Sequence, residues 1–217
     1  MRLPKRENLI VTNEEDPLNF YYYPVIGWVY RKRLINTLGL LGNKNYEKIL
    51  EIGFGSGILF SELNARAREL HGIEIHDKIA AVTEKMNAEG LKPILKQASL
   101  YRIPYEDNFF DCIVSVSTFE HLDDLDKAYG ELRRVAKPGA DIILSFPVRN
   151  RITDGFYSLF GYKPRELHPN SHNDIIVSAI KYFELRKLKK FPSFLPVDAS
   201  LYLSCLFIKK SSPNEDE

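Results

Sequence analysis

Cysteine is scarce in this chain: its 217 residues include two, Cys112 and Cys205. Both lie in apolar stretches, too far apart for metal-ligand spacing, which excludes a disulfide framework and a thiolate zinc site. An excess of charge of one sign is lacking too. Lys and Arg number 30 against 29 Asp and Glu, a formal net charge of +1, so no field exists to hold a nucleic-acid backbone and no nucleic-acid partner is expected. No run approaches the ~20 apolar residues of a membrane span, so no stable membrane insertion is expected. The opening M-R-L-P-K-R-E-N is charged where a signal peptide would be apolar. Internal repeats and low-complexity runs are also missing. A cytoplasmic protein is therefore expected, with enough apolar sequence for one large core, and a monomer or homodimer is the expected state.

What is present alternates. Short β-branched or apolar runs at 48–52, 70–75, 93–96, 110–116, 141–146, 183–189 and 202–209 are interleaved with segments of helical period at 28–40, 57–67, 78–88, 125–136 and 173–182. This is the sign of βαβ units in an α/β fold, a doubly wound seven-stranded sheet with helices on both faces. Lys137-Pro138-Gly139 reads as the stop between a helix and the fifth strand. Only a loop joins the last two strands, so they are expected as an antiparallel edge pair. Two segments are rich in aromatics. One is an N-terminal helical cap over residues 1–44, with Tyr21, Tyr22, Tyr23 and Trp28; the other is an insert over 148–172, with Phe156 and Tyr157. The acidic tail 211–217 has nothing to bury and is expected to be disordered.

The strongest local signal is I-L-E-I-G-F-G-S-G, Ile49 to Gly57, an apolar strand running into a glycine turn. Glycines 53, 55 and 57 permit a sharp turn at the carboxyl end of a strand, where open α/β sheets bind nucleotides. About 20 residues on, H-G-I-E-I-H places Glu74 where a carboxylate accepts from both ribose hydroxyls. The pair points to an adenosine-type ligand. A dinucleotide fingerprint would require a third glycine at position 58, where Ile58 stands, and Glu51 would set a negative charge near a pyrophosphate. Glu51 suits an amino group, such as that of S-adenosylmethionine. The competing reading is a tight turn with no ligand.

With that turn go G-I-E-I at Gly72 to Ile75, I-P-Y-E-D-N-F-F-D at Ile103 to Asp111, E-H-L at Glu120 to Leu122, and L-R-R-V-A-K-P-G at Leu132 to Gly139. In this order and spacing, over roughly 45–209, the sequence resembles the class I S-adenosylmethionine-dependent methyltransferases, small-molecule branch. The resemblance implies a Rossmann-like sheet, mostly parallel with an antiparallel last strand, over a methyltransferase domain at 45–210 whose 148–172 insert covers the pocket. It implies S-adenosylmethionine as cofactor, with Glu51, Gly53, Phe54 and Gly55 facing the methionyl moiety. Glu74 would take the ribose, Ile75 the adenine face, Ser99 and Leu100 the adenine edge, and Ser117 the methionyl amino group. Ser99 departs from an aspartate often found there, and Ala140 from the last glycine of the K-P-G-G pattern.

The cofactor brings its own activated leaving group, so the protein contributes positioning, desolvation and, for some acceptors, proton removal. Among five histidines, His121 after the fourth strand is the candidate base, with a helix-capping role as the alternative. His71 reads as structural, and His76 as flanking the adenine or simply exposed. His168 and His172 have metal spacing, but Pro169 between them argues against a helix, and no metal is expected. Asp123, Asp124 and Asp126 suit a helix start. By resemblance, Tyr21, Tyr22, Tyr23, Trp28, Phe156 and Tyr157 would line or close the acceptor pocket, which suggests an apolar or aromatic small-molecule acceptor. The basic groups Arg31, Lys32, Arg33 and Arg186, Lys187, Lys189, Lys190 read as solvated faces, the first group also able to meet an anion. The expected function is methyl transfer to a small molecule, the alternative a non-catalytic S-adenosylmethionine-binding regulatory or scaffold protein. Protein or RNA methylation is disfavoured, since S-V-S-T occupies the place of an N-P-P-Y acceptor clamp.

Overall fold

A computed structural model describes residues 1, 3–12, 16–150 and 169–209. Phe156, Tyr157, His168 and the tail 211–217 lie outside them. The seven strands are β1 (Tyr46–Ile52), β2 (Ala67–Glu74), β3 (Ile94–Gln97), β4 (Phe110–Val116), β5 (Ala136–Pro147), β6 (Phe183–Phe191) and β7 (Tyr202–Lys209). They form one sheet in the order β3-β2-β1-β4-β5-β7-β6. β7 runs antiparallel to both β5 and β6, so the other six strands are mutually parallel. The last strand is thus slotted inside the sheet, and β6 forms the edge.

The inner strands bury both faces, so consecutive residues feed opposite cores. Ile49, Leu70, Cys112, Val114 and Ile143 pack with helices α1 (Ile26–Leu41), α2 (Phe60–Asn64) and α3 (Ile79–Ala88). Leu50, Ile73, Ile113, Ile142 and Cys205 pack on the other side with α4 (Leu125–Val135) and α5 (His172–Tyr182). The two buried thiols therefore sit in different cores with the sheet between them. The N-terminal segment is part of this architecture: Leu34, Leu38 and Leu41 of α1 are buried in the first core.

Two boundaries differ from the sequence pattern. The helix expected from residue 57 starts at Phe60, because Gly57 adopts a φ of +77° that no right-handed helix accepts. β5 begins at Ala136 and not at 141: Phe110 pairs with Ala136 and Cys112 with Asp141, leaving 137–140 as a bulge in which Pro138 lacks an N–H and Gly139 has a φ of +74°. Elsewhere the turn chemistry holds. Asp124 caps α4 by accepting the Lys127 N–H at 2.9 Å, and Ser171 and Asp174 form a capping box on α5.

β1 lies between β2 and β4, and the chain winds outward from it in both directions. That places the topological switch point, and the crevice that goes with it, outside the carboxyl ends of β1 and β4.

Candidate functional site

At the end of β1, Glu51 is 3% exposed and its Oε2 has no hydrogen-bond partner. Burial, and then the field of Glu74, push its carboxyl well above the ordinary range. Such an orphaned acid is costly unless a ligand supplies donors or positive charge. Gly53 follows with a φ of +70°, its N–H donating to the Ile73 carbonyl at 3.0 Å, and a Cβ there would lie 2.2 Å from Thr118 Oγ1. This glycine locks the end of β1 against the loop after β4. Gly55 differs: its φ is +50°, but a Cβ would meet nothing nearer than Thr12 Oγ1 at 3.8 Å. The space beside it is open for a ligand.

Glu74, at the end of β2, is oriented by two backbone donors, Gly55 N–H on Oε2 at 3.0 Å and Ile75 N–H on Oε1 at 2.7 Å. Its remaining lone pairs are available to a ribose. The next residue, Ile75, is 72% exposed, an apolar side chain left in water at the rim. Other expected contacts are narrowed. Phe54 is buried beside Phe60 and edge-on to His76, and Leu100 is buried in the opposite core, so only their backbones are left to face a ligand. Exposed Ser99 accepts the Tyr101 N–H at 3.2 Å. His76 lies 3.3 Å from the Gly55 carbonyl. His71 is structural: it is buried in mid-strand against Tyr105, Phe109 and Phe110, and burial lowers its pKa.

The carboxyl end of β4 holds a second constellation that the sequence did not show. Ser117 sits in the left-handed region at φ +56°, a strained conformation for a non-glycine residue. Its hydroxyl accepts from Arg33 Nη1 at 2.9 Å and shares a hydrogen bond with Tyr202, so it is committed within the protein. Arg33 is the correction to the solvated-face reading. Its guanidinium lies 4.9 Å from the Tyr30 ring centre and 5.3 Å from those of Tyr21 and Tyr202, and it donates to the Tyr21 hydroxyl. Below it, Thr37, Ser145 and Ser204 join hydroxyls across α1, β5 and β7 at 2.6 and 2.5 Å. Glu120, 2% exposed, has an Oε2 without a partner; burial raises its pKa against the opposing charges of His121 and Arg33.

His121 follows on the same 3-10 turn (Phe119–His121), more exposed, with Nε2 4.0 Å from Glu120 Oε1. Asn170 staples that turn: its amide donates to the carbonyls of Phe119 and Leu122 at 3.2 and 2.5 Å, and its backbone N–H to that of Glu120 at 3.3 Å. Of the aromatics expected at the acceptor pocket, Tyr21 joins the Arg33 cluster. Tyr22 instead donates to the Pro4 carbonyl at 2.7 Å, Tyr23 is half exposed, and Trp28 stands edge-on to Phe191 at 5.3 Å with half its surface in water.

Comparison with known proteins follows the same lines. Residues 50–144 match the model of a methyltransferase domain. The chain is 31% identical over 122 residues to a demethylmenaquinone methyltransferase of Thermus thermophilus, covering 54% of each chain. It is 29% identical over 118 residues to the methyltransferase YdaC of Bacillus subtilis, covering 52% of this chain and 63% of that one. The chain thus spans between half and two thirds of these relatives. The N-methyltransferase NodS of Bradyrhizobium japonicum, solved with S-adenosyl-L-homocysteine, shares the fold with a TM-score of 0.68 over 93% of this chain and 95% of its own, at 15% identity. The cofactor of such proteins fits the residues present, since an orphaned buried acid, an open glycine cradle and an oriented second acid suit a phosphate-free cationic nucleoside. Residues 50–144 thus match a methyltransferase domain, and the chain is similar in sequence and in fold to S-adenosylmethionine-dependent methyltransferases.

Proposed function

We propose that this chain transfers a methyl group from S-adenosylmethionine to an apolar, ring-bearing small molecule. The observation that carries the reading is Glu51, a buried carboxyl with one unpartnered oxygen at the mouth of the glycine cradle. It favours a ligand ammonium and disfavours a pyrophosphate. When bound, the cofactor supplies a sulfonium methyl already activated for in-line displacement. Glu51 would hold the methionyl end of the cofactor and Glu74 its ribose, with the backbone between Gly53 and Gly55 alongside.

The acceptor side is the crevice past β4. His121 takes a proton from the acceptor, and buried Glu120 beside it stabilises the imidazolium that forms. Loss of a ring hydroxyl proton would activate the oxygen or an adjacent ring carbon, so the methylated atom is a matter for product analysis. The apolar acceptor is supported by the aromatic residues of α1 and by the name of the Thermus relative, a demethylmenaquinone methyltransferase. The test is calorimetry with S-adenosylmethionine and NADH, followed by labelled turnover on reduced naphthoquinones and simple phenols. Saturable binding of the sulfonium compound and a labelled, organic-extractable product are expected. Binding of NADH in its place rejects the cofactor assignment; binding without product on any acceptor favours the regulatory reading.

A further inference from the structure

In a chain of net charge +1, residues 17–42 and 185–196 contain seven Lys and Arg and no Asp or Glu, leaving 23 basic against 29 acidic residues elsewhere. The fold brings these two stretches together. α1 starts at the carboxyl edge of the sheet and packs along β5, β7 and β6, and Trp28 meets Phe191, the last residue of β6. The same edge carries large apolar side chains in water: Val25 is 81% exposed ahead of α1, and Phe194 is 83% exposed in the loop from β6 to β7. Tyr23 and Trp28 are half exposed with them. The ammonium of Lys32 lies 5.8 Å above the Trp28 ring, and Lys187, Lys189 and Lys190 follow along β6; none of the four is in an ion pair among the described residues.

Lysines on an edge strand discourage sheet-to-sheet pairing, which explains those of β6 taken alone. It explains neither Lys32 nor the exposed Val25 and Phe194, which single out one end of the molecule. Apolar tips with Trp and Tyr beside them, flanked by unpaired lysines, have the composition of a surface that sits on an anionic bilayer.

We propose that this edge docks peripherally on anionic phospholipid membranes, with Val25 and Phe194 entering the interface and Lys32, Lys187 and Lys190 meeting the headgroups. No helix among the described residues is long and apolar enough to cross a membrane, so the contact is superficial. Docking would turn the crevice mouth toward the phase in which an apolar acceptor dissolves. That use rests on the proposed function, but the docking itself does not.

The test is sedimentation of the full chain with large vesicles of phosphatidylcholine alone or mixed three to one with phosphatidylglycerol, without cofactor or acceptor. Partition into the anionic vesicles is expected, falling steeply when salt is raised to about 0.5 M, where screening lengths shrink to a few ångströms. Lys187→Gln with Lys190→Gln should weaken it about fivefold per lysine. Val25→Ser with Phe194→Ser should weaken it at least tenfold at unchanged melting temperature, because both side chains are already in water. Equal binding to both vesicle types, no binding, or a dimer in solution that the serine variants dissociate would each overturn the proposal. Turnover on a water-soluble acceptor, unchanged in the same variants, separates failure of docking from failure of the methyltransferase reading.

Discussion

Between Glu51 and Ile75, 25 consecutive residues supply both acids, the glycine cradle and the exposed apolar rim of the cofactor edge. The proposed acceptor edge, by contrast, takes Tyr21 and Arg33 from the N-terminal segment, Ser117 and Glu120 from the loop after β4, and Tyr202 from the last strand. The first edge is a local device that a short peptide pattern encodes. The second is a tertiary assembly, and its parts have no meaning one at a time. Damage should therefore differ in kind: at the cofactor edge it should reduce affinity at constant stability, and at the acceptor edge it should threaten the fold.

The largest effect is expected at Arg33. Replacing it by Ala leaves the Tyr21, Ser117 and Tyr202 hydroxyls without their shared donor and empties the space between three rings; a loss of about 3 kcal/mol in urea unfolding is expected. Arg33→Lys should recover little, since an ammonium lacks the planar fork that reaches both Tyr21 and Ser117. A stability unchanged in Arg33→Ala would dissolve the contrast between the edges. Next is Glu74→Ala, for which we expect a loss of about 2 kcal/mol in cofactor affinity, roughly 30-fold by calorimetry, with a melting temperature near that of the native protein. Wild-type affinity would remove Glu74 from the site.

Asn170→Ala releases the turn that carries Glu120 and His121 and should lower kcat about tenfold, on the order of 1.4 kcal/mol, while cofactor affinity stays constant. Equal losses in both would mean that Asn170 supports the whole crevice. The smallest effect is also opposite in sign. The folded protein holds the Glu51 carboxyl above its ordinary value of 4.5, so the native state binds the proton more tightly than the unfolded chain. The contribution of Glu51 to stability without ligand is therefore greatest below about pH 4.5 and is lost as pH rises through the raised value. Glu51→Gln removes this slope and should gain about 1 kcal/mol at pH 8, a few degrees in melting temperature, while weakening cofactor binding. An unchanged slope across that range would show that Glu51 is not the strained group.

Much of the fold was legible because strands buried on both faces leave long apolar runs, as in I-L-E-I and D-C-I-V-S-V. Among the described residues the seven strands and the five expected helices stand near their expected places. The errors are local. The apolar period predicts a helix from Gly57, but the positive φ of that residue defers the helix by three residues. K-P-G reads as a stop between helix and strand, while Ala136 just before it already pairs with Phe110. In the site, Glu51, Gly53, Gly55 and Glu74 stand at the crevice. Phe54 and Leu100 turned inward, because an apolar side chain beside a core packs into it whenever the backbone allows.

The sequence by itself determined the strand pattern, the backbone geometry of the glycine turn and the sign of the charge at the ends of β1 and β2. Each depends on residues within a few positions of one another, so chain connectivity alone enforces it. Only the tertiary structure decided that Arg33 leaves water for a cage of tyrosines, that Glu120 is buried beside His121, and that the basic and apolar stretches of α1 and β6 meet at one edge. The tyrosines that hydrogen-bond to Arg33 in that cage are 12 and 169 residues from it in sequence. What a charged side chain meets at such separations depends on which strands become neighbours, and slotting β7 between β5 and β6 brought Tyr202 to Arg33.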